Sequence, residues 1–210
     1  MISPKTSALI LGDLQNDFLH REGAYGRAGQ TNPAIAALPD KLAPLVQAAR
    51  AQGILVVATL FTLVPGRSGD PIISPHLRSL RPFLKRGDFE PGGWGQQLID
   101  ALAPADFLVE KVAYSAFYMT RLEWVLRKCA IEQILFAGIV TNGGVASTVR
   151  DAHAREFDCT VIEDGCAAFS SEVHHVAIDG LRQVAKIATI AEVIEAITPP
   201  IHNLSFGETD

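Results

Sequence analysis

The sequence predicts one α/β domain over residues 1–210, with helices on both faces of a parallel six-stranded sheet. Apolar runs of strand length alternate with amphipathic runs of helical spacing along nearly the whole chain. The chain is long enough to bury one sizeable core, and 48% of its residues are hydrophobic. Because strand–helix alternation is typical of parallel sheets covered on both sides, the expected architecture is a three-layer α/β/α domain.

Six short segments carry the strand pattern, and the first is an apolar run that is typical of a central strand. The predicted strands cover residues 7–14, 54–63, 107–111, 131–140, 159–163 and 186–188. The spacing of apolar residues predicts helices over residues 95–103, 120–129, 142–157, 171–183 and 191–197. Thr120, with Glu123 three residues later, is a candidate N-cap of the second of these helices.

A further helix is predicted within residues 33–52, with Gly53 as its stop signal. Pro39 and Pro44 favour a late start near Asp40, with Pro44 in or near the first turn. Residues 64–95 are the least regular part of the chain and carry several basic side chains. Such a long loop is either functional, for example by holding an acidic substrate, or a solvated excursion or oligomer contact.

Composition narrows the classes of function. The net charge of −5 predicts no general attraction for nucleic acid. No apolar run is long enough to span a bilayer, and no signal peptide is recognisable, so we expect a cytoplasmic protein. Cys129, Cys159 and Cys166 are an odd number of cysteines, which we interpret as reduced thiols rather than a disulfide framework.

Three polar or glycine-rich positions fall at the carboxyl ends of predicted strands. Asp13 ends the first strand, Lys111 ends the third, and the turn at residues 141–144 ends the fourth. Ligands of parallel sheets bind at this edge, and a helix start after a glycine turn suits an anion or oxyanion. Taken singly, Asp13 could be a turn cap and the glycines could simply form a compact turn.

The same three positions lie in segments that together resemble a known family. GDLQNDF around Asp13, VEKVAYSAF around Lys111 and AGIVTNGGVASTVRDA around Gly144 are similar in order and spacing to the isochorismatase-like (cysteine hydrolase) superfamily. The resemblance covers nearly all of residues 7–190. It implies a Rossmann-like fold of the isochorismatase-like hydrolase type and a small-molecule substrate.

The resemblance also implies the positions of catalytic groups. In that family an aspartate, a lysine and a cysteine at the helix start form the catalytic triad, and these positions are Asp13, Lys111 and Gly144 here. A cis peptide is implied before the elbow threonine, at Val140–Thr141. Backbone groups of the elbow, at Val140, Thr141, Gly143 and Gly144, are expected to help bind an oxyanion.

The chain departs from the family pattern at the nucleophile. Gly144 has no side chain and cannot form an acyl-enzyme, which argues against a thioester mechanism. Cys166 ends a different strand and is interpreted as a small core residue. The Asp-x-His…His metal cluster of nicotinamidases is also missing, because residues 59–63 are TLFTL and only His76 lies nearby. We therefore expect no metal and no cofactor.

Family members without the cysteine suggest the first functional hypothesis. True isochorismatases resemble this pattern and hydrolyse a vinyl ether, with the aspartate thought to protonate the methylene carbon. The elbow sequence TNGGV differs from theirs, however, so a different bond is also considered. The alternatives are an amide, ester or carbamoyl hydrolase that uses water, and an inactive ligand-binding protein. In the first hypothesis Lys111 either supports Asp13 or holds a substrate carboxylate.

Several other residues are expected near the substrate. Phe18, Tyr114 and Phe117 are candidate walls of the pocket, and Asn142 is a candidate substrate-binding residue of the elbow. The resemblance further implies a homo-oligomer, a dimer or a tetramer, completed by residues 64–95 and by the tail at 197–206.

Overall fold

The structure is a computed structural model that describes residues 2–198. Its centre is a six-stranded sheet in which all neighbouring strands are parallel, as predicted. The strand order is β3-β2-β1-β4-β5-β6. The strands are β1 (Ser7–Gly12), β2 (Leu55–Phe61), β3 (Phe107–Lys111), β4 (Gln133–Ile139), β5 (Asp158–Ala167) and β6 (Lys186–Ala188).

Helices cover both faces of this sheet, which confirms the three-layer architecture. They are α1 (Asn16–Leu19), α2 (Ala24–Arg27), α3 (Pro33–Ala36), α4 (Leu38–Ala51), α5 (Pro75–Leu80), α6 (Leu122–Lys128), α7 (Ala146–Ala154), α8 (Ser171–Leu181) and α9 (Ile190–Ile197). Helices α4 and α9 pack on one face, and α6, α7 and α8 pack on the other. Within residues 2–198, no helix is both long and apolar enough to cross a membrane.

The central strand β1 explains why the sheet has a core on each side. Leu9 and Leu11 point into the core with α4 and α9, whereas Ala8 and Ile10 point into the core with α6, α7 and α8. All four side chains are buried, since successive residues of a strand face opposite sides of the sheet. A strand that is buried on both faces carries a continuous apolar run, and this run is the pattern that predicts β1 from the sequence.

The strand order places a crevice between β1 and β4. From β1 the chain proceeds to β2 and β3 on one side, and β4 to β6 occupy the other side. This reversal is the topological switch point, where ligands bind outside the carboxyl ends of the strands in open α/β sheets. Asp13 follows β1 directly, and the turn at Thr141–Val145 follows β4. The fold therefore brings these two segments to one edge of the sheet.

Close contact between β1 and β4 depends on Gly138. Its φ is +132°, and an added Cβ would overlap the Gly12 backbone. Gly138→Ala is expected to lower the free energy of unfolding by about 1–3 kcal/mol, because overpacking against backbone cannot be relieved by a rotamer change. Denaturant unfolding measures this loss. Gly180→Ala in α8 is the matched control, since its Cβ would meet only the Arg150 side chain at 3.5 Å; an equal loss in both variants would contradict the packing argument.

The helix before β2 begins earlier than expected. Asn32 caps the short helix α3 by accepting from the Ala34 and Ile35 amides, and α4 then starts at Leu38 rather than near Asp40. Pro39 fits the first turn because that position needs no amide donor. Pro44 consequently lies inside the helix, not in or near its first turn.

Residues 95–103 do not form the predicted helix. They contain two short 3₁₀ turns, Trp94–Gln96 and Asp100–Leu102. Backbone groups between the turns form hydrogen bonds outside the segment. The Asn16 amide donates to the Gln97 carbonyl at 3.0 Å, and the Ile99 amide donates to the Leu14 carbonyl at 2.9 Å. These bonds tie the segment to the chain just after β1, which prevents helical pairing.

Smaller differences from the sequence-based expectations occur elsewhere in the chain. Helix α6 has Arg121 as its N-cap residue, and Glu123 pairs with Arg155 instead of completing a capping box with Thr120. Strand β5 extends to Ala167, because its last residues pair with β4 beyond an irregularity in the register. A non-proline cis peptide lies at Ile139–Val140, one peptide earlier than the expected position at Val140–Thr141.

Candidate active site

The elbow after β4 is a π-type turn at Thr141–Val145 that leads into α7. The Val140 carbonyl accepts two hydrogen bonds, from the Gly143 amide at 2.9 Å and from the Val145 amide at 3.3 Å. Regular helix therefore begins at Ala146, not at Asn142 as the apolar spacing indicated. The Gly143 amide is engaged within the elbow, and an oxyanion role for these backbone groups stays a prediction.

Asp13 is held at the end of β1 in a left-handed conformation, with φ of +57°. Its amide donates to the Thr59 carbonyl at 3.0 Å, and its Oδ1 accepts from the Thr59 hydroxyl at 3.1 Å. Asp and Asn tolerate this backbone region better than most residues. Thr59 on β2 thereby fixes the direction in which the carboxylate leaves the strand.

Lys111, at the end of β3, forms a buried ion pair with Asp13. The distance from its Nζ to Asp13 Oδ2 is 2.8 Å, and the two side chains are only 3% and 8% exposed. The same Nζ donates to the Ala113 carbonyl at 3.0 Å and to the Tyr114 carbonyl at 3.1 Å. An ammonium has three N–H donors, so all of those on Lys111 are engaged. This geometry favours support of Asp13 over direct capture of a substrate carboxylate.

The environment shifts the proton affinity of Asp13. Burial raises the pKa of its carboxyl group above the ordinary value of 3.8, and the Lys111 ammonium and the Thr59 hydroxyl act in the opposite direction. Burial is the strongest of these influences. A carboxyl group with a raised pKa is suited to transferring protons, because both of its forms become accessible nearer neutral pH.

Gly144 faces this ion pair. A Cβ added to it would lie 3.2 Å from Asp13 Oδ2, 3.7 Å from Lys111 Nζ and 3.0 Å from the Ile139 carbonyl oxygen. A side chain at this position would therefore point at the acid and the ammonium. The structure brings together Asp13, Lys111 and Gly144, which lie far apart in the sequence.

A cavity of about 300 Å³ opens beside these residues. Asp13, Lys111 and Gly144 line it, together with Val140 of the elbow. Its other walls are largely apolar and aromatic, with a few polar groups, which is typical of sites for small organic molecules. These remaining lining residues are Phe18, Tyr25, Phe61, Ser74, His76, Leu77, Leu80, Arg81, Leu84, Val112, Ala113, Tyr114, Ile139 and Phe169.

Only part of the predicted substrate-binding set lies at this cavity. Phe18 and Tyr114 line it. Phe117 does not, because it is buried in the core beneath α6 and α7, where its ring lies 5.9 Å from that of Phe157. Asn142 is exposed to solvent and is not a lining residue. Thr141 is fully buried, and its hydroxyl lies 2.9 Å from Nδ1 of His174 on α8.

Most lining residues were not identified as site residues from the sequence, and four of these have aromatic or charged side chains that matter for binding. Tyr25 belongs to α2, Phe61 ends β2, Arg81 follows α5 and Phe169 follows β5. Arg81 had a weak signal, since it lies in the basic and irregular segment 64–95. The three aromatic residues had no such signal, because an isolated aromatic residue is more often part of the core.

The cysteines lie away from the acid–ammonium pair. Burial raises the pKa of Cys166 to about 12 and that of Cys159 to about 12. Neither thiol lines the cavity next to Gly144. Cys166 instead lines a separate cavity of about 210 Å³, together with His174 and Asp164. Thiols that stay protonated at neutral pH are poor nucleophiles, so we interpret Cys159 and Cys166 as structural residues.

The described residues offer no obvious cluster of metal ligands. Within residues 2–198, no three His, Cys, Asp or Glu side chains are grouped closely enough to hold a metal ion. His76 lies at the cavity. The expectation that the protein uses no metal stays a prediction.

Known proteins share this fold and sequence pattern. The model of the isochorismatase domain family matches residues 7–192. The ureidoacrylate amidohydrolase RutB of Enterobacter sp. (strain 638) is 33% identical over 215 aligned residues, covering 94% of this chain and 92% of that protein. A RutB protein of Klebsiella pneumoniae is 35% identical over 173 residues, covering 77% and 73%.

The solved structure of a cysteine hydrolase from Pseudomonas syringae pv. phaseolicola 1448A superposes with a TM-score of 0.80. It is 27% identical in sequence, and the match covers 93% of this chain and 94% of that one. The expected fold is thus confirmed by an independent structure. Since the family model spans most of the chain and the relatives match over most of their length, the chain belongs to the isochorismatase family of hydrolases.

Proposed function

We propose that this protein hydrolyses a small acidic metabolite by direct attack of water, without a thiol nucleophile. The observation that carries the proposal is Gly144, whose missing side chain would point at Asp13 Oδ2 and Lys111 Nζ. In this proposal Gly144 occupies the position of the family cysteine. The chain then belongs to a thiol-less subgroup in which Asp13 transfers the proton.

An amide or ureido bond is the first candidate for the bond that is cleaved. Two relatives that are about one third identical are named ureidoacrylate amidohydrolases. In this reaction the Asp13 carboxylate takes a proton from water as the water oxygen attacks the carbonyl carbon. The C–N bond then breaks, and the same proton passes to the leaving nitrogen. Lys111 orients the carboxylate through their 2.8 Å contact.

Backbone groups of the elbow are the proposed binders of the oxyanion formed in this step. The sequence implied Val140, Thr141, Gly143 and Gly144. Since the Gly143 amide already donates to the Val140 carbonyl, the other positions are the better candidates. Donors fixed in place before the reaction stabilise a developing oxyanion without reorganising.

Hydrolysis of a vinyl ether is the second candidate. The pKa of Asp13 is raised by burial, which favours the protonated acid that such a reaction requires. The Asp13 acid protonates the methylene carbon, and water adds to the resulting oxocarbenium ion while returning a proton to the Asp13 carboxylate. The hemiketal C–O bond then breaks, the hydroxyl proton passes to the leaving oxygen, and a ketone and an alcohol are released. Release of pyruvate from isochorismate would identify this reaction.

Assays of the two substrates test the proposed function directly. Ureidoacrylate and isochorismate are incubated separately with the full chain, and product release is followed. Turnover of either one without added cofactor supports a water-dependent hydrolase. If neither these nor a panel of amides, esters and enol ethers is turned over, the proposed hydrolysis is excluded and the ligand-binding alternative is favoured.

Activity is expected to survive alkylation of the cysteines. Treatment with iodoacetamide should leave kcat/KM within about twofold of the untreated value, because the thiols lie outside the cavity and Cys159 and Cys166 stay protonated. Mass spectrometry confirms which cysteines were modified. Loss of activity that maps to Cys166 would contradict the mechanism without a thiol.

The pH dependence of kcat/KM should distinguish the two bonds. For amide hydrolysis we expect the rate to fall as the pH drops below the raised pKa of Asp13, because the base must be ionised. For vinyl ether hydrolysis the sign reverses, and the rate falls as the pH rises above that pKa. If kcat/KM of the parent changed in neither direction across this pH range, Asp13 would not be the group that transfers the proton.

A cytoplasmic homo-oligomer remains part of the proposal. Several apolar side chains from β3 to α6 are exposed and suit contact with a second copy, namely Leu108, Val112, Tyr118, Met119 and Trp124. Ile197 is buried with α4 and α9 rather than exposed for such contact. The tail beyond Thr198, also expected to contribute, lies outside the described residues.

A further inference from the structure

We propose that Arg81 binds a carboxylate group of the substrate and so sets the substrate class. This inference rests on the proposed function, since it takes the cavity beside Asp13 as the substrate site. Arg81 lies just after α5 and lines that cavity together with Asp13 and Lys111. It is thus the charged group of the wall that is not part of the acid–ammonium pair.

Contacts with aromatic residues hold the guanidinium group in place. Its Nε donates to the Tyr25 hydroxyl at 2.7 Å, and Nη1 donates to the Leu80 carbonyl at 3.1 Å. Its carbon Cζ lies 5.9 Å from the ring centroid of Tyr25 and 5.9 Å from that of Phe169. The two rings are stacked, with centroids 5.8 Å apart. A fixed arginine loses less conformational entropy when it binds a ligand.

The hydrogen-bonding capacity of Arg81 is not exhausted by these contacts. A guanidinium group has five N–H donors in a planar fork. The bonds to Tyr25 and Leu80 engage Nε and one N–H of Nη1, which leaves N–H groups on both terminal nitrogens. Two terminal N–H groups match the spacing of a carboxylate in a bidentate pair.

The charge of Arg81 is also uncompensated within the described chain. Among residues 2–198, no Asp or Glu forms an ion pair with it, whereas Arg27 pairs with Asp88 and Arg155 with Glu123. Asp13 is the carboxylate of the cavity wall, and it is paired with Lys111 at 2.8 Å. An anionic ligand group would supply the missing charge.

The shape of the cavity narrows the class of ligand. Phe18, Phe61 and Phe169 line the same cavity and provide flat apolar surfaces. A volume of about 300 Å³ fits a small molecule rather than a peptide or a nucleotide. One arginine matches one carboxylate, whereas a phosphate dianion usually requires more cations. The expected substrate is a small monocarboxylate with a flat or unsaturated body and a hydrolysable group at its other end.

Binding of matched acid and neutral ligands tests this inference. Ureidoacrylate and its uncharged carboxamide are titrated calorimetrically into the full-length Asp13→Asn variant, which is expected to bind without turnover. In the parent, trans-2-pentenoate and trans-2-penten-1-ol are compared, because neither has a hydrolysable bond. We expect the acid to bind at least about tenfold more tightly than its neutral counterpart in each pair.

Variants of Arg81 localise the effect. Arg81→Met should reduce affinity for the acids by about 10- to 100-fold and leave the neutral ligands nearly unchanged. Arg78→Met on α5 is the matched control, since Arg78 is exposed and does not line the cavity. Tyr25→Phe should raise KM severalfold with little change in kcat, because Tyr25 positions the arginine rather than contacting the reacting atoms.

The outcomes separate this inference from the proposed function. Selective binding of acids that is lost in Arg81→Met supports the assignment even if the parent turns nothing over. Equal affinity for acids and neutral ligands, no measurable binding of the acids, or the same loss in Arg78→Met would overturn it. Turnover of a substrate with no carboxylate at undiminished kcat/KM would also overturn it, while leaving hydrolysis by water intact.

Discussion

Replacing Lys111 by methionine is expected to lower the free energy of unfolding by about 3–5 kcal/mol at neutral pH. The change removes one partner of an ion pair whose side chains are 3% and 8% exposed. Asp13 would then be buried without a counter-charge, and the carbonyls of Ala113 and Tyr114 would lose their donor. Methionine keeps the length and much of the volume of lysine, so the loss is mainly electrostatic. Denaturant unfolding measures it.

The pH dependence of the free energy of unfolding, together with two further variants, tests whether the loss is electrostatic. Without Lys111, the folded-state pKa of Asp13 should rise further, so the deficit shrinks at acidic pH and grows as the pH rises through that pKa. Lys186→Met removes an exposed pair with Asp158 and should cost only about 0–1 kcal/mol. The double variant Asp13→Asn, Lys111→Met should be less destabilised than the sum of the single variants. Strict additivity would refute the coupling between the two residues.

The convergence of Asp13, Lys111 and Gly144 was predictable because it follows from topology. Each residue lies at or shortly beyond the carboxyl end of a strand, and the carboxyl ends of parallel strands share one edge of the sheet. The register of these strands does not need to be known for this argument. Even the start of α7, which is preceded by a π-type turn, does not change which residue faces the ion pair.

The walls of the cavity were not predictable in the same way. Tyr25, Arg81 and Phe169 lie in or beside irregular segments whose position depends on contacts between distant parts of the chain. One such contact is made by Asp17, whose two carboxylate oxygens accept from the amides of Ala24 and Phe89. No periodicity in the sequence records bonds of this kind. The sequence also could not show that Phe117 would be buried in the core rather than line the cavity. An aromatic residue near the site in the sequence can face either way.

The change Asp13→Asn is expected to reduce kcat/KM by about 100- to 10,000-fold, whichever bond the protein hydrolyses. Asparagine is nearly isosteric and can still accept the hydrogen bond that the Thr59 hydroxyl donates at 3.1 Å. It cannot take a proton from water at neutral pH, nor can it donate one to a carbon atom. Steady-state kinetics measure the loss, and circular dichroism establishes that the variant is folded.

Asp164→Asn provides the matched control for this loss. Asp164 also lies on the sheet, but it is exposed, accepts from the Ile190 amide at 2.7 Å and lines the other cavity. Its variant should keep kcat/KM within a few fold of the parent, because no proton passes through it. If Asp13→Asn kept parental activity, the proton would have to move through another group, and the buried ion pair would be purely structural. If both variants lost activity equally, the effect would belong to the stability of the sheet rather than to proton transfer.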